Sequence, residues 1–196
     1  MTIIGVTGGI GAGKSSVSAV LKKMGARVID ADFISHEAEK PGGAAYEQIV
    51  EEFGHEILKP DSSLDRKRLA DIVFNYPEKR IKLEKIVHIQ VIKEIMRQID
   101  ELKNKGYNGL VVLDVPIPVK HGFLDRADRV WVVDADDETR IGRVMERSGI
   151  NAEDARLRIE SQLSREEYIS LADEVIENNG SFEELEEKIR GLVSGL

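Results

Sequence analysis

Gly8-Gly9-Ile10-Gly11-Ala12-Gly13-Lys14-Ser15 matches the phosphate-loop pattern G-x-x-x-x-G-K-[ST] at every fixed position. Its glycines let the backbone bend so that successive N–H groups converge on phosphate oxygens. The pattern assigns Lys14 to the β/γ-phosphates and the Ser15 hydroxyl to Mg²⁺. At average composition the four fixed positions coincide by chance in roughly one chain in a hundred of this length. The flanks make chance still less plausible: Thr2 to Thr7 reads as a short buried strand, and Ser15 to Lys23 as a helix. The positive end of that helix would face the phosphates. The sequence therefore predicts nucleoside triphosphate binding through Gly9, Ile10, Gly11, Ala12, Gly13, Lys14, Ser15 and Ser16.

Outward from the loop, strands and helices alternate. Ala26 to Asp30, Leu110 to Asp114, Arg129 to Val133 and Glu174 to Ile176 read as four further strands. The inner ones are continuous apolar runs, the pattern of strands covered on both faces. Such alternation requires parallel pairing through right-handed crossovers. The expected fold is α/β: a five-stranded parallel sheet flanked by helices, a three-layer sandwich of the phosphate-loop kinase type. Residues 1–32, 107–144 and 169–196 are expected to form the nucleotide-binding core. The stretch 33–106 is too long for one crossover and reads as almost wholly helical from Ala44, so it is expected to be a helical insertion, to which the family resemblance given below assigns acceptor binding. Residues 145–168 are polar, with Ser148-Gly149 as a hinge and little apolar area to hold them down. They are expected to open and close as a lid.

In open parallel sheets, ligands lie at the carboxyl ends of the strands. Asp30, Asp32, Asp114 and Asp134 are expected at that edge. Asp114 ends an apolar strand and suits a carboxylate that holds Mg²⁺ together with Ser15. Asp32 is separated from Asp30 by one residue, so an extended backbone would put both carboxylates on one side. Just beyond a strand end, Asp32 suits proton acceptance from an attacking hydroxyl, and it could equally cap the following helix. Arg140, Arg143 and Arg147 share one helical face. Arg143 and Arg147 are read as lid arginines that stabilise a transferring phosphoryl, with Arg147 also on the nucleotide.

The chain has 196 residues, no cysteine and a formal net charge of −8. That excludes a disulfide framework or thiolate metal site and disfavours a polyanionic partner. No membrane segment or signal peptide is evident. The reading is a cytoplasmic enzyme with a small-molecule substrate, no nucleic-acid or membrane partner, and a monomeric or weakly oligomeric state. The four histidines show no metal-ligand spacing. No Asn-Lys-x-Asp run for guanine occurs, which favours ATP over GTP.

Several further stretches resemble the dephospho-coenzyme A kinase family in its own order. They are Val28-Ile29-Asp30-Ala31-Asp32, Leu64-Asp65-Arg66-Lys67-Arg68-Leu69, Leu83-Glu84-Lys85-Ile86-Val87-His88 and Asp114-Val115-Pro116. Arg143, Arg147, Gln162 and the run from Ala172 to Gly180 complete the set. The resemblance implies ATP-dependent phosphorylation of the ribose 3′-hydroxyl of dephospho-coenzyme A, with Mg²⁺. It also implies Asp32 as base, Arg66, His88 and Asp114 on the acceptor side, and Arg143 and Arg147 on the phosphate side. Three features depart from the family. Ile89 stands where proline usually follows the histidine, which is expected to relax the helix there. Pro116-Ile117-Pro118 with Lys120 replaces Pro-Leu-Leu with a nearby Glu. Arg140 stands where Gln is frequent and is expected to add a phosphate contact. A different small-molecule kinase, of the nucleotide or shikimate type, and a nucleotide-binding regulatory protein without transfer chemistry are the alternatives.

Overall fold

The computed structural model describes residues 1–116 and 123–196, so the expectations on Ile117, Pro118 and Lys120 lie outside the described residues. The chain divides into two compact units, one formed by Met1–Asp30 with Leu102–Leu196 and the other by Ala31–Glu101.

The first unit is built on five strands: β1 (Thr2–Thr7), β2 (Arg27–Asp30), β3 (Leu110–Asp114), β4 (Arg129–Asp134) and β5 (Glu174–Glu177). All pairs are parallel, in the order β2-β3-β1-β4-β5. The fold class read from the sequence is therefore the observed one. Register aligns Val6 and Asp30 with Asp114, Thr7 with Val132, and Asp134 with Glu177. The carboxyl ends of all five strands thus share one edge, and the phosphate loop leaves β1 there.

The apolar runs have the cause expected of them: from Ile3 to Thr7 and from Val111 to Asp114 every residue is buried. Helix α1 (Lys14–Lys23) brings Val17, Val20 and Leu21 against Ile4, Val6, Val112, Trp131 and Ile176. The C-terminal helix, labelled α9 below (Phe182–Ser194), adds Leu185 and Ile189 to the same cluster. Its start is fixed by a capping box, in which Ser181 and Glu184 each accept the other's backbone N–H. Trp131, 1% exposed, is the chain's single tryptophan and sits at the centre of this core.

The second unit contains α2 (Ala31–Ala38), α3 (Tyr46–Phe53), α4 (Arg66–Asn75) and most of α5 (Pro77–Asn104). Ala45, Ile49, Phe53, Ile57, Leu64 and Leu69 form its own buried cluster, with Leu83, Ile86 and Val87 packed against it. The stretch from Ala44, read as almost wholly helical, contains a break. Residues 54–65 hold a single turn of 3-10 helix, His55–Ile57, and a bridge between Leu58 and Leu64. The break has a local cause: Asp65 accepts the N–H groups of Lys67 and Arg68, both at 3.1 Å, and so starts α4 afresh. Helix α5 runs on without interruption through Ile89.

Among the described residues no helix is long and apolar enough to cross a membrane.

Candidate active site

In the first unit the site grows from the turn between β1 and α1. Gly13 is the N-cap of α1 at φ 94, and a Cβ there would run into Asn178 Nδ2. Gly11, at φ 81, comes so close to α6 (Asp137–Ser148) that a Cβ would lie 2.6 Å from the carbonyl oxygen of Arg140. Only glycine fits either position, through backbone conformation and through space.

The loop is closed by the Ala12 N–H on the Gly9 carbonyl at 3.1 Å. Its outward carbonyls are all held. Arg140 Nε donates to Ile10 O at 3.1 Å, and Arg143 Nη1 donates to Gly11 O at 3.2 Å and Ala12 O at 3.3 Å. Asn178 Nδ2 donates to Ala12 O at 2.8 Å. Arg143 Nη2 then donates to the Asn178 carbonyl at 2.9 Å, tying these two donors together. Gln162 Oε1 accepts the Ile10 N–H at 2.7 Å.

Lys14 opens α1 and its amine is ion-paired with Asp114 at the end of β3. The Asp114 side chain is only 8% exposed, so the pair is well shielded. Ser15, one residue on, is exposed. Asp134 is buried at the same edge, and Arg165 Nη2 and Nε donate to its Oδ2 at 2.6 and 2.8 Å. That carboxylate holds the Arg165 guanidinium pKa above its ordinary value by hydrogen bonding and charge. Arg147 is exposed in the last turn of α6.

Residues 145–168 comprise the end of α6, α7 (Ala152–Glu160) and the start of α8 (Arg165–Ile169). Leu157, 59% exposed, fits the expected shortage of apolar cover, but Ala155 and Tyr168 are buried and anchor the segment. Burial also pushes the Tyr168 phenol pKa up.

In the second unit Asp32 lies in the first turn of α2 and is exposed. The extended backbone supposed for Asp30 to Asp32 is not what forms: β2 ends at Asp30 and the helix begins at Ala31. The argument that alternation places both carboxylates on one side therefore does not apply. Arg66 is the first residue of α4, where Nη2 donates to His36 Nδ1 at 2.8 Å and pairs with Glu39 Oε2 at 2.9 Å. His88 is half-buried in α5.

One participant, Asn178, escaped the sequence reading. Asn178 gives no signal beyond its place in the run from Ala172 to Gly180, because its partner is 166 residues away. Arg140, read for a phosphate contact, is 6% exposed; its Nε holds the Ile10 carbonyl and its Nη2 lies buried beside Gly9 without a hydrogen-bond partner among the described residues.

A parallel sheet with a phosphate loop at its carboxyl edge, a lysine at the loop's end and a strand-terminal aspartate defines the class: phosphate-loop kinases. Residues 2–184 match the family model described as dephospho-CoA kinase. A curated dephospho-CoA kinase from Symbiobacterium thermophilum is 47% identical over 93% of this chain and 76% of its own. One from Carboxydothermus hydrogenoformans is 41% identical over 96% and 91%. Among solved structures, dephospho-CoA kinase from Campylobacter jejuni superposes with a TM-score of 0.72 at 27% identity, covering 98% of this chain and 95% of its own. The chain belongs to the dephospho-CoA kinase family.

Proposed function

We propose that the protein transfers the γ-phosphoryl of ATP to the ribose 3′-hydroxyl of dephospho-coenzyme A. The family match across residues 2–184 carries this reading, and the loop geometry supports it. Phosphoryl transfer asks a protein for cradling, charge and orientation of the nucleophile. Gly9 to Ser16 supply the cradle. The Lys14 amine exchanges Asp114 for phosphate oxygens when ATP enters. Arg143 donates to backbone carbonyls of the loop and of Asn178, so its charge acts through the loop, and Lys14 and Arg147 meet the transferred group. Asp32 accepts the hydroxyl proton, and Arg66 and His88 belong to the acceptor side.

The donors present suit Mg²⁺. A hydroxyl at Ser15 and a carboxylate at Asp114 are hard oxygen ligands, and no cluster of three metal-binding side chains occurs among the described residues. An ion that keeps several waters and binds substrate phosphates needs no more than that. Mg²⁺ would neutralise charge on the β- and γ-phosphates, and Ser15 and Asp114 would hold it. Residues 145–168 act as the lid, and the enzyme works in the cytoplasm as a monomer or weak homo-oligomer.

The test is an acceptor panel with labelled ATP: dephospho-coenzyme A, nucleoside monophosphates and adenosine. Turnover should be confined to dephospho-coenzyme A and fall to background in folded Lys14→Ala, which loses transition-state charge and no core packing. Preference for a monophosphate, or wild-type turnover in Lys14→Ala, would refute the proposal.

A further inference from the structure

A trans peptide points its carbonyl and its N–H in opposite directions. Holding the carbonyls of Ile10 and Ala12 on one side therefore turns the N–H groups of Gly11 and Gly13 to the other. The intervening N–H, that of Ala12, is used in closing the loop on Gly9. So the direction of the Gly11 and Gly13 N–H groups is decided by what grips the carbonyls of Ile10 and Ala12.

The grip has a hierarchy. Arg140 and Arg143 come from α6, and their carbonyl bonds are 3.1 to 3.3 Å long. Asn178 makes the shortest bond, 2.8 Å to Ala12 O, from a side chain in a residue only 5% exposed. Its own backbone is pinned on both sides: its N–H donates to Asp134 O at 2.8 Å, and its carbonyl accepts from Arg143 at 2.9 Å. Asn178 also fills the space that Gly13 leaves by lacking a Cβ. A donor fixed at three points and fitted against the loop's last glycine sets a peptide plane; it does not merely fill a gap.

We propose that Asn178 is a positioning residue for the nucleotide site, fixing the Ala12–Gly13 peptide so that the Gly13 N–H faces the phosphates, with Arg143 bracing it. The proposal rests on the reading of the loop as the ATP site. It touches the phosphates only through the loop backbone, so its effect belongs to triphosphate affinity and not to acceptor recognition.

Two variants separate orientation from packing. Asn178→Asp keeps the shape but replaces the donor with an acceptor facing Ala12 O; Asn178→Ala removes the donor and some contact. Losing one such bond in a shielded site corresponds to about tenfold in affinity. ATP and inorganic tripolyphosphate should both bind about tenfold more weakly to Asn178→Ala, and more weakly still to Asn178→Asp. KM for dephospho-coenzyme A should stay within about twofold. The amide resonance of Gly13 should lose its shift on tripolyphosphate addition in both variants. Wild-type tripolyphosphate affinity in Asn178→Asp, or an equal loss of affinity for both substrates that tracks melting temperature, would overturn the proposal. If the wild type binds tripolyphosphate but does not phosphorylate dephospho-coenzyme A, the activity reading fails while the affinity comparison still decides the role of Asn178.

Discussion

At the scale of single residues, the sharpest question is Asp32. It is exposed in the first turn of α2, where a carboxylate also complements the helix dipole. Asp32→Asn keeps size and hydrogen-bonding reach but removes the proton acceptor, so turnover should fall by ~10²-fold or more. ATP affinity should hardly change. A melting-temperature loss with full turnover would leave only a helix-terminal role. Gly11 and Gly13 of the loop were legible from the sequence because a tight turn between strand and helix needs their positive φ locally, and Lys14 by its fixed place after them, although its partner Asp114 is 100 residues away. Asn178 was not, because what decides it is contact across the fold. Arg143 shows the boundary between the two. Its helical face was readable from spacing with Arg140 and Arg147, but not which side of the loop that face would meet.

At the scale of elements, helix capping makes measurable claims. Ser181→Ala removes the acceptor for the Glu184 N–H and should cost about 1 kcal/mol of stability, seen as a lower denaturant midpoint with unchanged slope. Asp136 caps α6 and accepts the Thr139 N–H at 2.7 Å, which holds its carboxyl below the usual range. A carboxyl depressed in the folded state stabilises above its unfolded pKa, and that contribution is lost as pH falls through the folded one. Asp136→Asn should therefore flatten the acid limb of the stability–pH curve and leave neutral turnover largely intact. The long helical reading from Ala44 missed the break at residues 54–65, since the bridge of Leu58 with Leu64 depends on pairing that periodicity does not encode. For residues 145–168, the buried Tyr168 and the pair of Arg165 with Asp134 predict uneven behaviour. With ATP and dephospho-coenzyme A bound, amide exchange should slow most between residues 149 and 163 and little around Tyr168. Uniform protection in both states would make the whole segment a fixed part of the core.

At the scale of the whole molecule, the alternation of strands and helices was enough to give the parallel sheet, because pairing through crossovers allows few other arrangements. It could not give the internal packing of residues 31–101, where every element is a helix and helical faces combine in many ways. The two units also differ in what light can report. The chain's one tryptophan, Trp131, is buried in the core of the sheet unit, and the helical unit has none. Intrinsic tryptophan emission is thus a built-in label for one unit, while far-ultraviolet dichroism, dominated by helix, registers both. Chemical unfolding followed by the two signals in one cuvette should trace coincident curves if the units melt as one cooperative body. An ellipticity change that precedes the red shift of emission would mean that the helical unit lets go first, leaving a sheet that can still bind nucleotide.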